Sequence, residues 1–230
     1  LGGGPAGGGG RKGLGGLEHR RPKGDGPGGK FRPQVEDALR WLADHQNFEG
    51  YWSSSRFSED SMRKNARKTY NLEFVMPGDP KGDRGWDVSV DVGLTGLSLL
   101  AFSGAGYDHK TGPYVETCRR GLMYLRKVQY DDGCFGPKDD EQFVYNHAIC
   151  TMAVVEMYDL SGDAMLKGMS QRAVDFILKA QSPGMGWRYG VKPIENDTSG
   201  TGWMGPALKS AKMAGIEFDS GRGYAAASKW

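Results

Sequence analysis

Two kinds of apolar pattern alternate along the chain from about residue 35 onward. The first is amphipathic: Val35, Ala38, Leu39 and Leu42 recur at helical spacing, with polar residues between them. Residues 114–129 and 165–181 repeat this pattern. The second kind is apolar nearly all round, as in Val92-Gly-Leu-Thr-Gly-Leu-Ser-Leu-Leu-Ala-Phe102, in Tyr145-Asn-His-Ala-Ile-Cys-Thr-Met-Ala-Val-Val155 and in Thr201-Gly-Trp-Met-Gly-Pro-Ala-Leu-Lys-Ser-Ala211. A helix apolar on every side must be buried on most sides, and an amphipathic one can cover it. The pattern predicts outer helices over 35–46, 114–129 and 165–181, and inner helices over 88–104, 143–160 and 198–214. Tyr224-Ala-Ala-Ala-Ser-Lys-Trp230 reads like the first turns of a further outer helix. The expected fold class is all-α: helical hairpins laid side by side, an arrangement that gives a solenoid, or a ring if the rotation closes.

Each outer helix ends in the same short phrase of Gln, a Gly turn and an aromatic. The three instances are Gln46/Gly50/Trp52, Gln129/Gly133/Phe135 and Gln181/Gly186/Trp187, the last with its glycine shifted by a residue. Gln129 and Gln181 lie 52 residues apart, and Gln46 and Gln129 lie 83 apart. The excess falls in a polar, Lys/Arg-rich stretch over 53–86, expected as a loop insertion at one rim. A Gln side chain has two donors and an acceptor, so it can satisfy orphan backbone groups at two helix ends. These nine positions are therefore expected to be structural.

Composition adds limits. Residues 1–34 are glycine-rich with scattered Arg and Lys and no apolar period, which predicts a flexible, mildly basic linker. Net charge is +2 with 25% charged residues, so nothing points to nucleic acid. No apolar run reaches the roughly 18 residues of a membrane span. Cys118, Cys134 and Cys150 are an odd, sparse set without CxxC, against a disulfide framework and in favour of a thiol-keeping cytoplasmic setting. No residue three beyond a cysteine is Gln, as a thioester would need; Gly121, Pro137 and Ala153 stand there. The chain begins without Met and ends inside a helical pattern, so a fragment is expected, one whose uncovered apolar face would promote self-association.

The Gln–Gly–aromatic phrases resemble the repeated element of squalene-hopene cyclases. Asp91-Val-Gly-Leu-Thr-Gly-Leu, Tyr145-Asn-His-Ala and Asp197-Thr-Ser-Gly-Thr-Gly-Trp likewise look like bacterial proteins of the prenyltransferase/squalene oxidase repeat family. The resemblance covers about 35–230. It implies an incomplete α/α toroid of three helical hairpins plus the start of a fourth outer helix. It also implies two candidate chemistries. Cyclases of this family carry Asp-x-Asp-Asp-Thr where this chain has Pro193-Ile-Glu195-Asn196-Asp197-Thr198, so Asn196 falls on the proton donor and Ile194 on a supporting carboxyl. Asp197 and Glu195 are the acids left, and the alternative for Asp197 or Thr198 is a helix cap. Protein prenyltransferases hold zinc through Asp-x-Cys and a later His. Here Asp132-Gly-Cys134 lies one helix too early for His147, so no metal or other cofactor is expected. His147, Tyr145, Trp187, Tyr189 and Trp203 are the expected lining of a concave pocket, suited to an isoprenoid, a glycan or a peptide. The resulting expectation is a non-catalytic binding or scaffold module. The alternative is an isoprenoid cyclase or transferase whose catalytic residues lie partly beyond this stretch.

Overall fold

The computed structural model describes residues 31–57, 60, 88–183 and 186–227. The protein is all-α over these residues, with seven α-helices and no strand. Most of the insertion over 53–86, and residues 1–30 of the linker, lie outside them.

Helix α1, Arg32–Asp44, starts earlier than the pattern predicts and takes in the last residues of the expected linker. A proline in its first turn explains the start, since the ring presets a helical φ and its missing N–H is an orphan there anyway. A 3-10 turn, Val88–Val90, leads into α2, Asp91–Gly104. Then come α3, Val115–Val128; α4, Phe143–Ser161; α5, Ala164–Ala180; α6, Thr198–Met213; and α7, Ser220–Ala227. The predicted boundaries hold to within a few residues. The outer helices α3 and α5 stop because Gln129 and Gln181 turn extended, with ψ of 120° and 135°. Helix α4 stops at Gly162, whose left-handed φ of 64° lets its N–H return to the Tyr158 carbonyl at 2.8 Å. Asp163 then caps α5 by accepting from Met165 N at 2.8 Å.

Helix α4 is central, packing against α2, α6 and α5; α3 lies on α2, and α7 on α6. Its all-apolar sequence is answered by burial from Phe143 through Tyr158, with Tyr145 and Met152 only partly covered. The approach of α2 and α4 depends on small residues. A Cβ at Gly96 would come within 3.1 Å of Cys150 N, and one at Gly93 within 2.4 Å of the Asn146 side-chain oxygen. Asn146 fastens the two helix starts, donating to Ser89 O at 2.7 Å and accepting from Gly93 N at 3.1 Å. Deeper in, Ser210 of α6 donates to the buried carboxylate of Glu156 on α4 at 2.5 Å. Leu99, Phe102, Leu122, Leu125, Phe176, Ile177 and Leu208 are almost wholly buried. Each contributes on the order of 1.5–3 kcal/mol on removal from water. Pro206 sits inside α6, where its missing N–H interrupts one ladder bond; it lies on the exposed side, where water can take the spare carbonyl.

Candidate functional site

The first two Gln–Gly–aromatic loops share one hydrogen-bond scheme, and the third shares its tie to the next outer helix. The Gln46 amide donates to Gly50 O at 2.8 Å, across its own loop, and to Thr117 O of α3 at 2.9 Å. The Gln129 amide donates to Gly133 O at 3.2 Å and to Met169 O of α5 at 3.0 Å. That of Gln181 reaches Gly223 O of α7 at 3.3 Å. Each glutamine thus ties the end of one outer helix to the next outer helix. Arg172 adds a bond to the Gln129 side-chain oxygen at 2.7 Å, whereas Arg120, one repeat earlier, donates to Asn47 O instead. Gly50 and Gly133 both have left-handed φ, 97° and 93°, and both lie against the carbonyls of those arginines.

Gly186 does not play the part that its place in the phrase predicts. It is absent from the left-handed glycines, and its carbonyl accepts from Ser182 N at 3.1 Å rather than from the Gln181 amide. The same backbone bond runs from Asn47 N to Tyr51 O and from Tyr130 N to Cys134 O, at 3.0 and 2.8 Å. Gly186 is therefore the counterpart of Tyr51 and Cys134, one residue past the turn position held by Gly50 and Gly133. The one-residue shift in sequence is real in space. Gly186 is small for a different reason: a Cβ there would come within 2.2 Å of Thr201 Oγ1, on the start of α6. Its role is close packing against an inner helix, not the turn.

The two tryptophans of these loops are fixed from both sides, and Phe135 through its backbone N–H. Trp52 Nε1 donates to Leu42 O and Trp187 Nε1 to Ile177 O, each at 2.8 Å, back to their own outer helices. Their backbone N–H groups are taken by threonines of the inner helices. Trp52 N donates to Thr95 Oγ1 at 3.2 Å, and Trp187 N to Thr201 Oγ1 at 3.0 Å. In the middle loop His147 holds that place. Its Nδ1 accepts from Phe135 N at 3.1 Å, which leaves Nε2 protonated and donating to Ala173 O of α5 at 3.1 Å. The ring is 0% exposed, between Phe135 and Phe176. Burial lowers its pKa to about 4. His147 therefore does not face a pocket, because both nitrogens are committed to backbone. Trp187, 1% exposed, also lies in the core and lines no pocket.

Of the other expected pocket residues, Tyr145 and Tyr189 meet where α4 and α6 begin. Tyr145 Oη lies 2.6 Å from Ser199 Oγ and 3.2 Å from Tyr189 Oη, the two phenol rings having centroids 6.1 Å apart. Ser199 donates to Asp197, whose same oxygen caps α6 by accepting from Gly200 N at 2.7 Å. The hydroxyl of Ser199, then the backbone N–H groups, hold the Asp197 carboxyl below its usual range. Burial raises the Tyr145 phenol, and the Tyr189 contact adds to this. Glu195 is exposed and ion-paired with Arg188. Trp203, partly buried, lies one turn below Ser199 on α6. The arrangement is a ledge of hydroxyls and ring faces, open to solvent, beside a capped helix start.

Asp132 and Cys134 do not join His147. Asp132 pairs with Lys138 at 2.7 Å and Lys179 at 3.5 Å, and burial pushes the Cys134 thiol up to about 12. Among the described residues, no group of three or more His, Cys, Asp or Glu is placed to hold a metal ion. No described helix is long and apolar enough to cross a membrane. Sequence reasoning passed over Thr95, Asn146, Ser199, Thr201 and the pair Arg120/Arg172. The 52-residue offset marks some of them, since it carries Thr95 onto His147 and Arg120 onto Arg172. Compared with known protein families and with curated proteins, the chain matches no family model and no curated sequence.

Proposed function

We propose that the chain is a binding or scaffold module, an arc of an α/α toroid of the prenyltransferase/squalene oxidase repeat kind. Its ligand sits at the ledge where α4 and α6 begin. One observation carries this reading: the groups that the resemblance would put to chemical use are occupied in structural bonds. Asp197 caps α6, and Glu195 is paired with Arg188. His147 is sealed between Phe135 N and Ala173 O, and Asn196, an amide, stands where the cyclase acid would be. Tyr189 keeps 41% of its surface in solvent, Ser199 is exposed, and Tyr145 and Trp203 are partly so. Ring faces beside hydroxyls suit an isoprenoid, a glycan or a peptide. Exposed Leu97 and Met213 on the inner helices add apolar surface for self-association.

The test has two arms. Incubation with squalene, and separately with an isoprenyl diphosphate and a thiol acceptor, is expected to give no product by mass spectrometry. Turnover that disappears in Glu195→Gln would overturn the reading. In the second arm, a compound from isoprenoid, glycan and peptide panels is expected to raise Tm of the protein and not of Tyr189→Ala.

A further inference from the structure

A cleft lies apart from the ledge, one repeat interval earlier in the sequence. It opens, with a volume of about 560 Å³, between the start of α2, the end of α3 and the loop that follows Gln129. That volume falls within the roughly 300–1,000 Å³ of small-molecule pockets. Its apolar walls are Val92, Val128 and Pro137, with the aromatic rings of Tyr124 and Tyr130. Tyr124 is backed by Tyr51, the ring centroids 4.8 Å apart. Lys127 is the charged side chain in the wall; it is 75% exposed and only loosely paired with Glu49, at 3.8 Å.

The 52-residue offset explains why space opens here. It carries Val92 onto Val144, Tyr124 onto Phe176, Lys127 onto Lys179, and Gly136–Pro137 onto Arg188–Tyr189. In the later interval Val144 and Phe176 are each 1% exposed, and Lys179 is drawn to Asp132 at 3.5 Å. In the earlier interval a glycine and a proline stand where an arginine and a tyrosine stand in the later one. The cleft wall at Gly136–Pro137 is thus less bulky than the corresponding pair Arg188–Tyr189.

We propose that this cleft binds a small flat organic anion, an aromatic ring bearing a carboxylate or sulfonate. The ring enters between Tyr124, Tyr130 and the valines. The anionic group faces Lys127, whose ammonium meets it at the mouth without a desolvation cost, since it is solvated there. This site shares no residue with the ledge at α4 and α6, so it stands or falls independently of the ligand proposed there.

Fluorescence titration with anilinonaphthalenesulfonate tests the proposal on the whole chain, with its uncharged analogue phenylnaphthylamine alongside. The expected result is saturable binding of the anion to one site. Lys127→Glu weakens it about fivefold, as for loss and reversal of one solvated charge. Pro137→Tyr, which puts a bulky ring in the cleft wall, removes the saturable signal. The uncharged analogue binds more weakly and is indifferent to Lys127→Glu. Both substitutions are at exposed positions, and circular dichroism with a thermal melt checks that each variant keeps its fold. The proposal is overturned if the protein gives no saturable signal, or if both variants bind the anion as the parent does.

Discussion

At the scale of single residues, polar side chains in this protein mostly serve backbone groups. His147 shows it best, because its geometry allows one neutral tautomer only. A proton on Nδ1 would set two N–H donors against each other at Phe135. With the folded pKa lowered from 6.5 to about 4, the unfolded chain takes up the proton first as pH falls. The stabilisation from a neutral His147 is thus complete above pH 6.5 and lost progressively down to about pH 4, a loss on the order of 3 kcal/mol. Denaturant titrations between those pH values should show a declining midpoint, and His147→Gln should flatten that slope. An equal slope in both proteins would refute the assignment. Gly133 is a second case. Its φ of 93° and the 2.0 Å separation that a Cβ would have from Arg172 O leave no room for a side chain. Gly133→Ala should cost several kcal/mol, on the order of 3, by strain at a left-handed position and backbone displacement. A thermal melt within a degree or two of the parent would contradict this.

At the scale of elements, the helices are legible in the sequence because their burial differs in kind. Helices α2 and α4 are apolar all round and lie in the middle, while α3 and α5 have one polar face and lie against them. Their ends are less legible, since a residue that turns extended, such as Gln129, or a cap such as Asp163, decides the last turn locally. Gly186 shows the same limit: a glycine near the expected spacing looks like a turn residue, yet the contact with Thr201 that requires it comes from a helix further along the chain. The sequence admits either a cap or an acid at the start of α6, and the hydrogen bond from Gly200 N to Asp197 is that of a cap. Asp197→Ala should therefore lower stability by about 1 kcal/mol, a shift of a few degrees in Tm. Asp197→Asn or Asp197→Ser, which can still accept the N–H, should recover most of it. A loss equal in Ala and Ser variants would argue for a different role. The role of His147 was not legible, because nothing in Tyr-Asn-His-Ala says which backbone groups its ring will meet. Only alignment with Thr95, one repeat back, hints that the position is an acceptor for the preceding loop.

At the scale of the whole molecule, the glutamines join successive hairpins, so the stack is held by repeated side-chain clamps as well as by its core. Repeat architectures gain their stability from such nearest-neighbour terms. Several conspicuous polar residues of this chain stitch neighbouring elements together: Gln46, Gln129, Gln181, Asn146 and His147 all bond the backbone of another element. Gln129 is engaged on both sides of its amide, bonded to Gly133 O, Met169 O and Arg172. The most direct measurement is equilibrium unfolding of Gln129→Ala in denaturant beside the parent protein. Removing the amide strands two carbonyls and a guanidinium donor between hairpins. A loss of about 2 kcal/mol is expected, with a lower midpoint and destabilisation transmitted to α5 and the helices beyond it. An unchanged midpoint and slope would mean that the hairpins stand together without the clamp, and would contradict the account.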